Sequence, residues 1–211
     1  MEEVFDTDAV SGVLHRPEQG GSDGIVLTHG AGSNASAPLL VRLARAFAEA
    51  GYLTLRFDLP FRRQRLKGAP SPATAARDRE GIALAVQAMK QMAPGRVFAG
   101  GHSYGGRQTA MTAAEQPGLA EALLLLSYPL HPPAKPEQKR TGFFPELRVP
   151  ALFVHGARDP FGSVEDLRAA MPLIPARTSL LVVASAGHDL KPAAALAPEI
   201  LAQLVGLGAP E

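Results

Sequence analysis

A three-layer α/β sandwich, with a mostly parallel sheet of six to seven strands and helices on both faces, is the architecture this sequence predicts. Three observations lead there. Strand-like and helix-like segments alternate almost to the end of the 211 residues, as parallel strands joined by crossover connections require. Runs such as Ile25-Val26-Leu27 and residues 122–126 are apolar without alternation, the pattern of strands covered on both faces. Polar, glycine-rich turns follow several of these runs directly, at the strand ends where open α/β sheets bind ligands.

The elements follow in order. Residues 10–14 form a short, weak strand, and residues 25–28 a stronger β-branched one. Leu39, Leu43 and Phe47 repeat every four residues, so residues 37–50 form a helix with one apolar face, and Gly51 ends it. Residues 53–57 are the next strand, and residues 58–73 a long basic loop. A helix over 74–92 carries Ile82, Val86 and Met89 on one side, with Pro94-Gly95 beyond its end. The strand at 96–100 leads into Gly101-His102-Ser103-Tyr104-Gly105 and then a helix over 105–116. Residues 122–127 are a buried strand. Residues 129–145 hold too much proline for a strand or regular helix and read as a loop over the strand ends, with 128–148 a short cap. A strand at 149–155 precedes a helix over 164–171, for which Ser163 is the cap, with Asp166 three residues on. The last strand is 178–184, and Leu196, Ile200 and Leu204 stripe the final helix.

Composition narrows the function classes. Lys and Arg number 21 against 20 Asp and Glu, a formal net charge of +1, which gives no general attraction to nucleic acid or an acidic membrane surface. Cysteine is absent, which excludes disulfides, thiolate metal ligands and cysteine nucleophiles. The start of the chain is acidic and lacks the apolar core of a secretory signal. No run approaches the 18 apolar residues of a membrane span, so a soluble cytoplasmic protein is expected. The histidines lack the paired spacing of a metal site, and no cofactor is called for. The loop at Gly30 lacks the third glycine of a dinucleotide fingerprint and the lysine of a P-loop. Nothing marks a second domain, so residues 1–211 read as one. The Ala-, Pro- and Arg-rich composition points to a bacterial source.

The chemistry lies in four motifs at strand ends. Ser103 stands between glycines at a strand-to-helix turn, as an exposed nucleophilic serine requires. A serine hydroxyl is a weak nucleophile until an imidazole takes its proton, and the imidazole needs a carboxylate to hold its tautomer. Asp159, in Gly156-Ala157-Arg158-Asp159-Pro160, and His188, in Ser185-Ala186-Gly187-His188-Asp189, follow in that order. Asp189 is a rival acid, but its adjacency to His188 makes a well-formed bond awkward. The amide of Tyr104, at the start of a helix, and that of Ala31, in His29-Gly30-Ala31-Gly32, are the candidate oxyanion donors.

The chain resembles the α/β-hydrolases, and more narrowly the small lidless hydrolases related to dienelactone hydrolase, in a branch with testis-expressed protein 30 and the hydrolase-like part of a chromatin-complex subunit. Leu27-Thr28-His29-Gly30-Ala31-Gly32, Leu55-Arg56-Phe57-Asp58, Gly101 to Gly106, His155 to Gly162 and Gly187-His188 carry the resemblance. It implies an α/β-hydrolase fold with Ser103 as nucleophile, Asp159 as acid and His188 as base. Dienelactone hydrolase has a cysteine at the elbow where this chain has Ser103. The expected activity is hydrolysis of a carboxylic ester through an acyl-enzyme. Alternatives are a thioesterase, a cofactor-free haloperoxidase, or an inactive binding or scaffold protein with the same fold. The partner would be a small-molecule ester, with the protein a monomer or small homo-oligomer. Arg62, Arg63, Arg65 and Lys67, in the loop 62–67, form the one local charge excess, and the three arginines are candidates to grip an anionic group on that ester. Phe61, Tyr128, His131 and Phe161, each in a loop after a strand, are candidates for the pocket wall.

Overall fold

The computed structural model describes residues 1–209. Eight strands form one sheet in the order β1-β2-β4-β3-β5-β6-β7-β8. They are β1 (Glu2–Asp6), β2 (Ser11–His15), β3 (Gly24–Thr28), β4 (Leu53–Phe57), β5 (Val97–His102), β6 (Leu123–Leu126), β7 (Ala151–Gly156) and β8 (Thr178–Val183). The β1–β2 and β2–β4 pairs are antiparallel and all the others parallel. The helices are α1 (Pro38–Glu49), α2 (Pro60–Gln64), α3 (Ala75–Met92), α4 (Tyr104–Glu115), α5 (Val164–Ala170) and α6 (Ala197–Leu207).

The strand count exceeds the six to seven expected, because β1 left no readable pattern. Val4, its central apolar residue, is 82% exposed, so the segment shows no apolar face. Its pairing is set instead by a tight turn in which the amide of Thr7 donates to the carbonyl of Val10 at 2.8 Å and the amide of Val10 donates back to Thr7 Oγ1 at 2.9 Å. The segment 58–73, expected to be loop throughout, contains α2 and a 3-10 turn at Pro72–Thr74.

Side-chain alternation along the central strands builds two cores. Ile25, Leu27, Phe98, Leu124, Leu126, Leu152 and Val154 pack with α1 and α6. Val26, Val97, Ala99, Leu123, Leu125, Ala151 and Phe153 face the other way, toward α3, α4 and α5. Each of the central strands β3, β5, β6 and β7 thus contributes to both layers, which is why its sequence lacks a charged face. The chain runs outward from β3 to β4 on one side and returns to β5 on the other, so a topological switch point lies between the carboxyl ends of β3 and β5. The register pairs Thr28 with Gly101 there, bringing the turns after both strands to the same crevice.

At the opposite end of the sheet, His15 is 1% exposed and its Nε2 accepts a hydrogen bond from Arg56 Nε at 2.8 Å. Burial, and then the Arg56 charge, lower its pKa from 6.5 to about 4. The unfolded chain therefore binds a proton between those values that the folded chain refuses. This group's penalty on stability is absent above pH 6.5 and grows to about 3 kcal/mol as pH falls toward 4. Urea unfolding of His15→Gln at pH 7 and pH 4.5 should show a smaller acid loss than the wild type, by most of that amount.

Candidate active site

Ser103 occupies a backbone conformation that few side-chain-bearing residues adopt, with φ 51° and ψ −115°. Its amide donates to the carbonyl of Leu126 at 2.8 Å, and its carbonyl accepts from the amide of Arg107 at 2.9 Å. The turn is held between β6 and the first turn of α4. Two glycines let the helix close on the sheet. A Cβ on Gly101 would come within 2.8 Å of the Thr28 carbonyl oxygen, and one on Gly105 within 2.5 Å of that of His29.

Asp159 and His188 come from the loops after β7 and β8. The amide of Asp159 donates to the carbonyl of Gly156 at 3.1 Å, which closes a turn, and Asp159 Oδ1 accepts from the amide of Phe161 at 2.9 Å. His188 Nδ1 lies 2.8 Å from Asp159 Oδ2 and 3.0 Å from Oδ1, while its Nε2 lies 2.8 Å from Ser103 Oγ. An ionised carboxylate only accepts, so Nδ1 carries the proton and Nε2 is left to accept from the serine hydroxyl. Burial raises the Asp159 pKa, but the hydrogen bonds from His188 and the Phe161 amide, with the charges of His188 and His155, bring it below the usual value. Asp189 points elsewhere and pairs with Lys191 at 3.2 Å on the surface.

The His188 loop is fixed from three directions. His102 Nε2 donates to the His188 carbonyl at 2.7 Å, the amide of Arg158 donates to the Ala186 carbonyl at 3.0 Å, and the Phe161 ring lies 4.2 Å from the imidazole at 32°. Burial lowers the pKa of His102, so that it serves as a neutral donor. Phe161 therefore lies beside the imidazole that joins Ser103 to Asp159. His131 is tied to the same loop, its amide donating to the Phe161 carbonyl at 3.0 Å, but its ring is buried and Nδ1 meets the Pro132 carbonyl at 2.9 Å.

Other residues singled out from the sequence serve packing. Tyr128 is fully buried against Phe144 and Phe153. Phe61 is buried between the rings of His29 and Tyr104, at 5.6 and 5.8 Å. Arg62 is only 4% exposed. Its Nε donates to the Ser33 carbonyl at 2.7 Å, Nη1 to that of Arg65 at 3.1 Å, and Nη2 to those of Ala31 and Gly68, both at 2.9 Å. Arg63 reaches the carbonyls of Asp8 and Thr7 at 3.1 and 3.4 Å, and Arg65 that of Ala69 at 3.4 Å. The basic loop thus directs its guanidiniums at the backbone rather than gathering them for one anion. Removing Arg62 would leave four carbonyls without their donor. Arg62→Ala is expected to cost about 2–4 kcal/mol in urea unfolding, with Arg62→Lys recovering only part because an ammonium lacks the planar fork.

The amides of Ala31, in the loop after β3, and of Tyr104, at the start of α4, donate to no acceptor among the described residues. Arg62 holds the carbonyl of Ala31. Asp78, on α3 and fully buried, holds the other side: Oδ2 accepts from the Tyr104 hydroxyl at 2.7 Å and Oδ1 from the Phe61 amide at 3.0 Å. Burial raises the Asp78 pKa, against those two bonds. Its sequence context, Arg77-Asp78-Arg79, reads as an exposed helix start, so nothing local marks it out. Among the described residues no cluster of side chains has metal-ligating geometry, and no helix is long and apolar enough to cross a membrane.

Known proteins with the same arrangement of elements are numerous. An alpha-beta serine hydrolase homologue from Coxiella burnetii shares 17% identity, covering 97% of each chain, with a TM-score of 0.76. A dienelactone hydrolase from Anabaena variabilis shares 21% over 98% of this chain and 97% of its own, at 0.74. A serine hydrolase without a lid from Xanthomonas campestris shares 15% over 96% and 94%, at 0.74. In fold the chain stands with these proteins. The family described as alpha/beta hydrolase domain matches residues 22–200, and the chain belongs to that family.

Proposed function

We propose that this protein is a serine hydrolase that cleaves carboxylic esters through an acyl-enzyme. The observation that carries the reading is His188, which bridges Ser103 and Asp159 with 2.8 Å contacts at both ring nitrogens. Ser103 Oγ attacks the ester carbonyl as its proton passes to His188 Nε2, and Asp159 stabilises the imidazolium through Nδ1–H. The carbonyl oxygen gains charge beside the free amides of Ala31 and Tyr104, which stabilise the tetrahedral intermediate. His188 then gives its proton to the leaving alcohol, and the ester bond breaks. Water enters and attacks the acyl carbon while losing a proton to the same nitrogen, and the bond to Ser103 Oγ breaks as His188 returns that proton to it, releasing the acid. Phe161 supports the imidazole face, and the segment 128–148 acts as a short cap.

The reading is supported by the strained backbone at Ser103, which persists only where the surrounding structure enforces it, and by family membership. The test is a fluorophosphonate probe together with a panel of p-nitrophenyl esters and acyl thioesters. Stoichiometric labelling of Ser103 and ester turnover blocked by the label are expected. Faster cleavage of thioesters would revise the bond type. A folded protein that is neither labelled nor active would overturn the reading in favour of a binding or scaffold role.

A further inference from the structure

Two arginines, one on α4 just after the Ser103 elbow and one on the 128–148 segment, have no carboxylate partner among the described residues. Arg107 is one turn into α4, and its amide donates to the Ser103 carbonyl. Side chains on a helix lean toward its N terminus, so Arg107 covers the turn that carries Ser103. Its Nε is closed off from solvent and has no hydrogen-bond partner. Its charge acts on the hydroxyls of both Tyr104 and Tyr128.

Arg140 approaches the same place from the 128–148 segment. Its amide donates to the Leu130 carbonyl at 2.7 Å, Nη1 donates to the Pro129 carbonyl at 3.3 Å, and its own carbonyl accepts from the Tyr128 hydroxyl at 2.5 Å. Burial, and next the positive charge of Arg107, pull its pKa below the usual arginine value, with only Tyr128 acting the other way. The arginines that do form ion pairs among the described residues are others, such as Arg79 and Arg96. Ser127 adds a third unsatisfied group. Its Oγ is buried without a partner, its backbone is at φ 47°, and it follows Leu126, whose carbonyl receives the Ser103 amide.

Like charges brought together out of water repel, and buried donors without acceptors are costly. An oxyanion placed among them would relieve both. Of the three buried side-chain atoms left without partners among the described residues, two belong to residues at the backbone bonds that hold the Ser103 turn, Arg107 and the neighbour of Leu126, and the third is Nδ1 of His155. We propose that Arg107 and Arg140, with the Ser127 hydroxyl, form a subsite for a carboxylate or phosphate carried by the ester that Ser103 attacks. The inference rests on the serine-hydrolase reading and moves anion recognition from the 62–67 loop to the opposite side of the elbow.

The test compares p-nitrophenyl hexanoate with the p-nitrophenyl monoester of adipic acid, which differ by a terminal carboxylate. The wild type should favour the adipate ester in kcat/KM, and Arg107→Gln and Arg140→Gln should each reduce that preference at least about 10-fold, mainly through KM, the loss of one charged hydrogen bond. Adipate and inorganic phosphate as competitive inhibitors distinguish the two anion classes. A preference ratio that is the same in wild type and both variants would overturn the subsite. Should Arg107→Gln fail to fold, Arg140→Gln, on a largely exposed segment, carries the test. Binding is read separately from chemistry on Ser103→Ala, where adipate or phosphate should raise the melting temperature and the added Arg140→Gln change should abolish that rise. Absence of any rise with either anion rejects the subsite even if esters are hydrolysed. A rise without ester turnover keeps the subsite as an anion site and rejects the hydrolase reading.

Discussion

Ser103→Ala is expected to lower kcat on the best ester by about 10^5- to 10^6-fold and to abolish fluorophosphonate labelling, since removing the nucleophile disables the whole unit. The physical reason is local. His188 Nε2 sits 2.8 Å from Ser103 Oγ, and no other hydroxyl shares that position, so the imidazole is left without a nucleophile to deprotonate. The fold should be unaffected, because Ser103 is held by its backbone, through the amide bond to Leu126 and the carbonyl bond from Arg107. Ser103→Gly separates the two roles of the residue. It loses the same activity but relieves the penalty of a non-glycine residue at φ 51°, gaining about 1 kcal/mol in urea unfolding relative to Ser103→Ala. Residual turnover within about 100-fold of wild type in both variants would remove Ser103 from the mechanism.

Asp159→Asn is the second large effect, with an expected loss of about 10^4-fold in kcat at neutral pH and little change in KM. The carboxylate accepts from His188 Nδ1 at two distances, 2.8 and 3.0 Å. An amide presents its NH2 to that nitrogen, so the imidazole proton moves to Nε2, where it points at Ser103 and prevents proton acceptance. The Phe161 amide can still bond Oδ1, so the turn at 156–159 should persist. Stability should shift with pH in a definite sense. Because the folded carboxylate has a lowered pKa, its contribution is present above the unfolded value near pH 4 and is lost as pH falls through the folded one. The variant should lack that acid-side loss. An activity for Asp159→Asn within about 10-fold of wild type would point to another acid.

That Ser103, Asp159 and His188 stand in turns at one rim of the sheet was legible because their signals are local. A glycine-flanked serine after an apolar run, an Asp-Pro turn after a second run and a polar Gly-His loop after a third all sit at carboxyl ends of strands, and register in a parallel sheet aligns those ends. Arg62 illustrates the reverse. As sequence it is one of four cations in six residues, free to serve a substrate, yet its guanidinium is spent on carbonyls as far away as Ala31 and Ser33. Asp78 and Arg107 are likewise ordinary helix residues until α3, α4 and the turns after β4 and β6 are packed together. Strand β1 was invisible because an edge strand paired on one side, with Val4 in solvent, need not show an apolar face.

The amino-acid order by itself determined the layered α/β class, the alternation of elements and the positions of the polar turns, because apolar periodicity and glycine placement act within a few residues of chain. Tertiary packing decided which charges are answered and which are left open. Arg62 became a brace, Asp78 a buried anchor for Tyr104, and Arg107 a cation without a carboxylate. Hydrogen-bond partners tens of residues apart are chosen by how strands and helices stack, and desolvation, which sets the cost of an unpaired charge, exists only once that stacking has excluded water.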